Sequence, residues 1–188
     1  LLAPTCVGVT LVADRLVTAM IAEPYRVATI AVLPLAVLAG AIRNQRLHNF
    51  DQVFLLNAVT TRFIPVNVIE AIGTTAGTMI GIEMGHDIVS VLVGATAGAL
   101  FGTTLGAVIT ARIAISTYRM RPQWGAWARI LVACGAMAAV LSPIPWGAGT
   151  ISLIVEIVVG VAVYGVALVA LFPEIRALLR TRFARRTA

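Results

Sequence analysis

The chain has 188 residues, 60% of them hydrophobic and 12% charged, with a mean hydropathy of +0.97. Soluble domains carry about 25% charged residues, so this composition excludes a soluble fold and reads as an integral membrane protein. The net charge of +6 comes entirely from arginine among the basic residues, with none in an aromatic-interleaved patch, which argues against a nucleic-acid partner and for membrane lipids.

A crossing helix needs about 20 predominantly apolar residues, and the apolar segments leave room for six. The expected fold class is therefore all-α: a polytopic membrane protein, a bundle of about six transmembrane helices. The first helix is expected over residues 3–22, with Asp14 and Arg15 in its middle third and a stop at Glu23-Pro24-Tyr25. Charges at that depth are costly unless they face protein or water, so one wall of this helix should border a bundle interior or cavity.

The second helix begins near Arg26, can run to about residue 60, and carries Pro34 as a kink position. Its character changes abruptly at Arg43, Asn44, Gln45, Arg46, His48, Asn49, Asp51 and Gln52. On a helical wheel Leu47 and Phe50 fall on one side, with Asn44, Gln45, His48, Asp51 and Gln52 on the other. Such an amphipathic stretch can line a vestibule, and its arginine forks suit phosphate while its amides suit hydroxyls. Arg43, Arg46, Asn44, Gln52 and, in the loop beyond, Arg62 are the substrate-binding candidates.

The third and fourth helices, expected over 63–82 and 88–116, share one feature. Glycine recurs every fourth residue at Gly73, Gly77, Gly81 and Gly85, and again at Gly94, Gly98, Gly102 and Gly106. In water each such glycine costs about 1 kcal/mol relative to alanine. In lipid the backbone cannot expose its polar groups, and glycines at i, i+4 become a groove for close helix packing. Glu70, early in the third helix, joins Asp14 and Glu156 as an interior carboxylate that can serve as an ion or proton site. The Glu83 to Asp87 turn has no basic residue, whereas Arg112, Arg119, Arg121 and Arg129 surround the turn after the fourth helix.

The fifth and sixth helices are expected over 127–144 and 150–172, with Glu156 inside the latter. Arg176, Arg180, Arg182, Arg185 and Arg186 then form an arginine-rich tail over 176–188, which the positive-inside pattern assigns to the cytoplasm. Residues 1–175 thus read as one membrane lobe. Cys6 and Cys134 read as small buried hydrophobes. No HExxH, GxSxG, Walker A or DxD pattern occurs, so neither enzyme chemistry nor a metal or cofactor is expected. The chain opens on Leu1-Leu2-Ala3-Pro4, already within an apolar run, and is expected to be a fragment lacking an N-terminal portion.

Taken together, Leu2-Ala-Pro4, Gly8 and Val12-Ala-Asp-Arg-Leu16, then Glu23-Pro-Tyr25, Ala28 and Leu33-Pro34 resemble the seventh and eighth helices of polysaccharide flippases. His48-Asn-Phe-Asp51-Gln52-Val-Phe54-Leu55-Leu56 is similar to the stretch that follows them. Gly94-Ala-Thr-Ala-Gly98-Ala99-Leu-Phe-Gly102-Thr103 resembles a signature of the later helices, and residues 164–176 resemble the last helix. The family is the Wzx-like polysaccharide biosynthesis branch of the multidrug/oligosaccharidyl-lipid/polysaccharide exporter superfamily. Two departures stand out. Glu23-Pro24 replaces the usual glycine turn, and Glu83 to Asp87 stands where a hydrophobic-proline motif is usual.

The resemblance implies one lobe of a two-lobe transporter in the bacterial inner membrane, its partner being a missing N-terminal lobe of the same polypeptide. It implies alternating access and export of an undecaprenyl-diphosphate-linked oligosaccharide for cell-surface polysaccharide, lipopolysaccharide included. The alternatives are a cation-coupled multidrug exporter of the same superfamily, or a non-transport membrane subunit or transferase of a polysaccharide synthesis complex.

Overall fold

Without water to bond to, backbone N–H and C=O groups must satisfy one another along the chain, so long apolar segments become helices. The computed structural model describes residues 2–57, 61, 63–120, 123–147, 149–174 and 176, and among them every regular element is helical. The helices are α1 (Leu2–Met20), α2 (Arg26–Gln45), α3 (Asp51–Leu56), α4 (Phe63–Met84), α5 (Ile88–Tyr118), α6 (Trp124–Leu141) and α7 (Thr150–Leu171). A 3-10 turn, Glu23–Tyr25, leads into α2, and a π-helical turn, Arg46–Phe50, joins α2 to α3.

Among the described residues, six segments are long and apolar enough to cross a membrane: α1, the continuous stretch Glu23–Leu56, and α4 to α7. Ile151, Ile154, Val158, Val161 and Val166 on α7 all point outward. A helix that is hydrophobic on every side yet not enclosed by protein requires an apolar solvent, as a multi-pass membrane protein has. The expected ends hold within a few residues. The fifth predicted helix lies about a turn earlier than expected, because Pro143 and Pro145 have no N–H to continue the ladder beyond Leu141.

The chain divides into two compact units. The first comprises residues 1–19 and 123–188 and so holds α1, α6 and α7. Its core is Ala133, Cys134, Met137 and Leu141 of α6 with Tyr164 of α7, flanked by Ala3, Val7 and Leu11 of α1. Arg129 lies over the Phe172 ring at 5.5 Å, and Arg176 donates to the Ala170 carbonyl at 3.2 Å. Arg180, Arg182, Arg185 and Arg186 of the expected tail lie outside the described residues.

The second unit, residues 20–122, holds α2 to α5. Its centre is the α4–α5 hairpin, in which the two glycine rows face each other. A Cβ built on Gly73 would stand 3.2 Å from Gly102 Cα, and one on Gly77 only 2.7 Å from Gly98 Cα. Gly81 and Gly94 press together in the same way. Each step of four along α4 is thus matched by a step of four back along α5, and Thr78 adds a hydrogen bond to the Ala95 carbonyl at 3.3 Å. With no hydrophobic force between helices in lipid, this backbone contact supplies the dispersion that holds the pair. Phe54, fully buried, closes one end of the unit, edge-on to Phe63 at 5.2 Å and to Tyr118 at 5.7 Å. The end of α5 therefore lies beside α3, and α4 runs antiparallel to both.

At the hairpin turn Asp87 caps α5 in a reciprocal box. Its carboxylate accepts the Ser90 N–H at 3.3 Å, and its own N–H donates to Ser90 Oγ at 3.0 Å. The Ser90 hydroxyl bond, more than any other contact, holds the Asp87 carboxyl below its usual range. A depressed folded value means the cap stabilises above the ordinary aspartate range and is lost as pH falls through the lowered value. Hydrogen-exchange protection of the Val89 to Val91 amides should accordingly fall on acidification in the wild type. It should not respond in Asp87→Asn, which caps without titrating.

Candidate functional site

Among the described residues, a buried ion-pair centre stands in each unit. In the second unit it grows from the π turn, where the Asp51 N–H reaches back five residues to the Arg46 carbonyl. Residues five apart on an α-helix lie about 140° apart. The wider turn brings them together instead, with Arg46 Nε 3.4 Å from Asp51 Oδ2, close enough for charge attraction though not aligned as a hydrogen bond. The Arg46 guanidinium continues across to α4, where Nη1 pairs with Glu70 Oε2 and Nη2 donates to Asn67 Oδ1 at 2.9 Å.

α5 contributes space. A Cβ on Gly106 would meet Arg46 Nη1 at 3.0 Å and Glu70 Cβ at 3.1 Å. The last glycine of the second row is therefore the notch that admits the ion pair. The side chains of Arg46 and Asp51 are each 5% exposed and that of Glu70 14%. One guanidinium thus faces two carboxylates in a nearly closed site.

In the first unit Arg15 of α1 donates to Glu156 of α7 at 2.5 Å. The Glu156 side chain is 4% exposed, but that of Arg15 remains one-third exposed. Arg15 lines a cleft of about 460 Å³ together with Asp14, Thr18, Trp146, Thr150 and Leu153. It also borders a smaller void of about 110 Å³ beside Ser142 and Glu156. Trp146 is fixed there by its indole N–H, which donates to the Leu141 carbonyl at 3.1 Å.

The sequence candidates separate on this geometry. Arg43 and Gln52 are exposed, Asn44 is partly buried, and Arg62 lies outside the described residues. Arg46 is 4% exposed with its guanidinium engaged by Asp51, Glu70 and Asn67, so it presents no free fork to a ligand. Asp14 stands exposed at the cleft, whereas Glu70 and Glu156 are each bound to an arginine. The wheel faces do not survive, because the π turn shifts their phase: Leu47 is exposed, while Arg46 and Asp51 turn inward.

Asp51 and Asn67 were not among the site candidates. The available signal was the five-residue spacing from Arg46 to Asp51, which only a π turn makes meaningful. The chain matches no protein-family model, no curated protein and no solved structure.

Proposed function

We propose that this chain is the C-terminal lobe of a Wzx-like flippase that exports an undecaprenyl-diphosphate-linked oligosaccharide across the bacterial inner membrane by alternating access. The observation that carries the reading is Arg15, a guanidinium inside a spanning helix that Glu156 only partly occupies and that lines a sizeable cleft. An arginine fork binds a diphosphate bidentately. The Thr18 and Thr150 hydroxyls in the same wall suit sugar hydroxyls. The motif order along the chain and the arginine-rich C-terminal tail support the family and a cytoplasmic C-terminus.

Complementation of a flippase-deficient bacterium with the full-length gene tests this, with surface polysaccharide as the readout. Arg15→Gln combined with Glu156→Gln removes the cation while leaving no orphaned buried carboxylate. A charged hydrogen bond is worth about 1.5–3 kcal/mol, so export should fall about tenfold or more. Unchanged export in well-inserted double variant would remove the assignment. Asp14, exposed at the same cleft, favours a second reading as a cation-coupled drug exporter. In that case Asp14→Asn would abolish drug efflux and polysaccharide export would never be restored.

A further inference from the structure

Among the described residues of this unit, the charges at the Arg46 centre do not balance. Arg46 contributes one positive charge, Asp51 and Glu70 two negative ones, and the ion pairs among the three are the only ones in this unit among the described residues. Asn67 is neutral. From α5 the centre meets Gly106, and the single charged residue of that helix, Arg112, lies about 240° around it and is exposed. His48 and Arg43, on the neighbouring turns, are exposed. Counting the described residues, one negative charge is left over in a site whose innermost side chains are 95% shielded, a condition that proteins relieve by neutralising a group.

A second observation points the same way. Asp51 Oδ1 is buried with no hydrogen-bond partner among the described residues, although Oδ2 of the same carboxyl faces the guanidinium. An ionised oxygen left bare in that position carries the full cost of its lost hydration. A neutral hydroxyl in the same place costs less, because the larger desolvation penalty belongs to the charged form.

We propose that Asp51 and Glu70 together hold one exchangeable proton, carried at rest on Asp51 Oδ1 with Glu70 ionised against Arg46. The proton is taken from water and returned to it with no other bond made or broken. Glu70 is the way in and out, being the more exposed of the two carboxylates and lying seven residues, about 10 Å, from the start of α4. Losing the proton adds a second negative charge beside Arg46 and pulls the guanidinium toward α3; regaining it returns the arginine to α4. Proton occupancy thereby sets how firmly α4 is tied to the α2–α3 helix. This goes beyond the transport reading and does not depend on the identity of the cargo.

Infrared difference spectroscopy of the full chain in lipid nanodiscs, stepped from neutral to alkaline pH, tests it. The wild type should lose the C=O stretch of one protonated carboxyl group. That band should be entirely absent from both Asp51→Asn and Glu70→Gln, since either change leaves a single carboxylate to balance Arg46. Because both variants must lose it, one that fails to fold still leaves the other decisive. Absence of the band in the wild type at neutral pH overturns the proposal, and so does its persistence in either folded variant. A wild type without the band whose thermal stability depends on sodium replacing potassium identifies a metal cation as the balancing charge instead.

Discussion

Gly98→Leu is expected to abolish the folded α4–α5 hairpin. The backbone of Gly98 rests directly on that of Gly77 and Thr78, so even a single added carbon meets main-chain atoms that cannot rotate away. Overpacking of a yielding core costs about 1–3 kcal/mol, and a backbone-on-backbone clash belongs at or beyond the top of that range, about 3 kcal/mol or more. The gain in helix propensity on leaving glycine, about 1 kcal/mol, cannot offset it. An alanine series makes the effect graded. Gly81→Ala and Gly98→Ala should be severe. Gly73→Ala should be mild, because its Cβ stops 3.2 Å from Gly102. Gly40→Ala and Gly165→Ala, which open onto free space, should be neutral or stabilising. Thermal unfolding in detergent, followed by helical circular dichroism and by retention of the monodisperse peak, measures the order. A flat series would show that the rows are not the contact surface.

That contact was legible in the sequence because its cause is one-dimensional. A four-residue glycine period defines a helix face without reference to anything else, and apolar run lengths fix the spans in the same way. The Arg46 centre was not legible, because it depends on a departure from the regular period. A wheel drawn at a constant angle per residue separates Arg46 from Asp51 and makes His48 and Asp51 neighbours, and the π turn undoes both. The partners Asn67 and Glu70 come from another helix, more than twenty residues on, and the vacancy that seats them is Gly106, which the periodic pattern presents only as a packing glycine. The Arg15–Glu156 pair was hidden for a similar reason. Each residue alone announced a costly intramembrane charge, but only folding the first helix against the last shows that the two share one site.

Arg46→Met should be the most damaging change outside the glycine rows. Methionine fills much of the same volume but leaves Asp51 and Glu70 facing each other without a cation in a nearly closed site. Removing one member of a buried ion pair costs about 3–5 kcal/mol, most of it the uncompensated charge left behind. Two further results separate charge from shape. The triple variant Arg46→Met, Asp51→Asn, Glu70→Gln should recover most of the loss, because it removes the charges along with their counter-ion. The single variant should also gain stability as pH falls. Two buried carboxylates left without a cation repel each other, and a proton taken up on acidification relieves that repulsion in the folded state. Unfolding midpoints of the three proteins at neutral and mildly acidic pH provide the measurement. If the triple variant is as unstable as the single one, the guanidinium acts by its hydrogen bond to Asn67 and its fit against Gly106, and the charge argument for this centre fails.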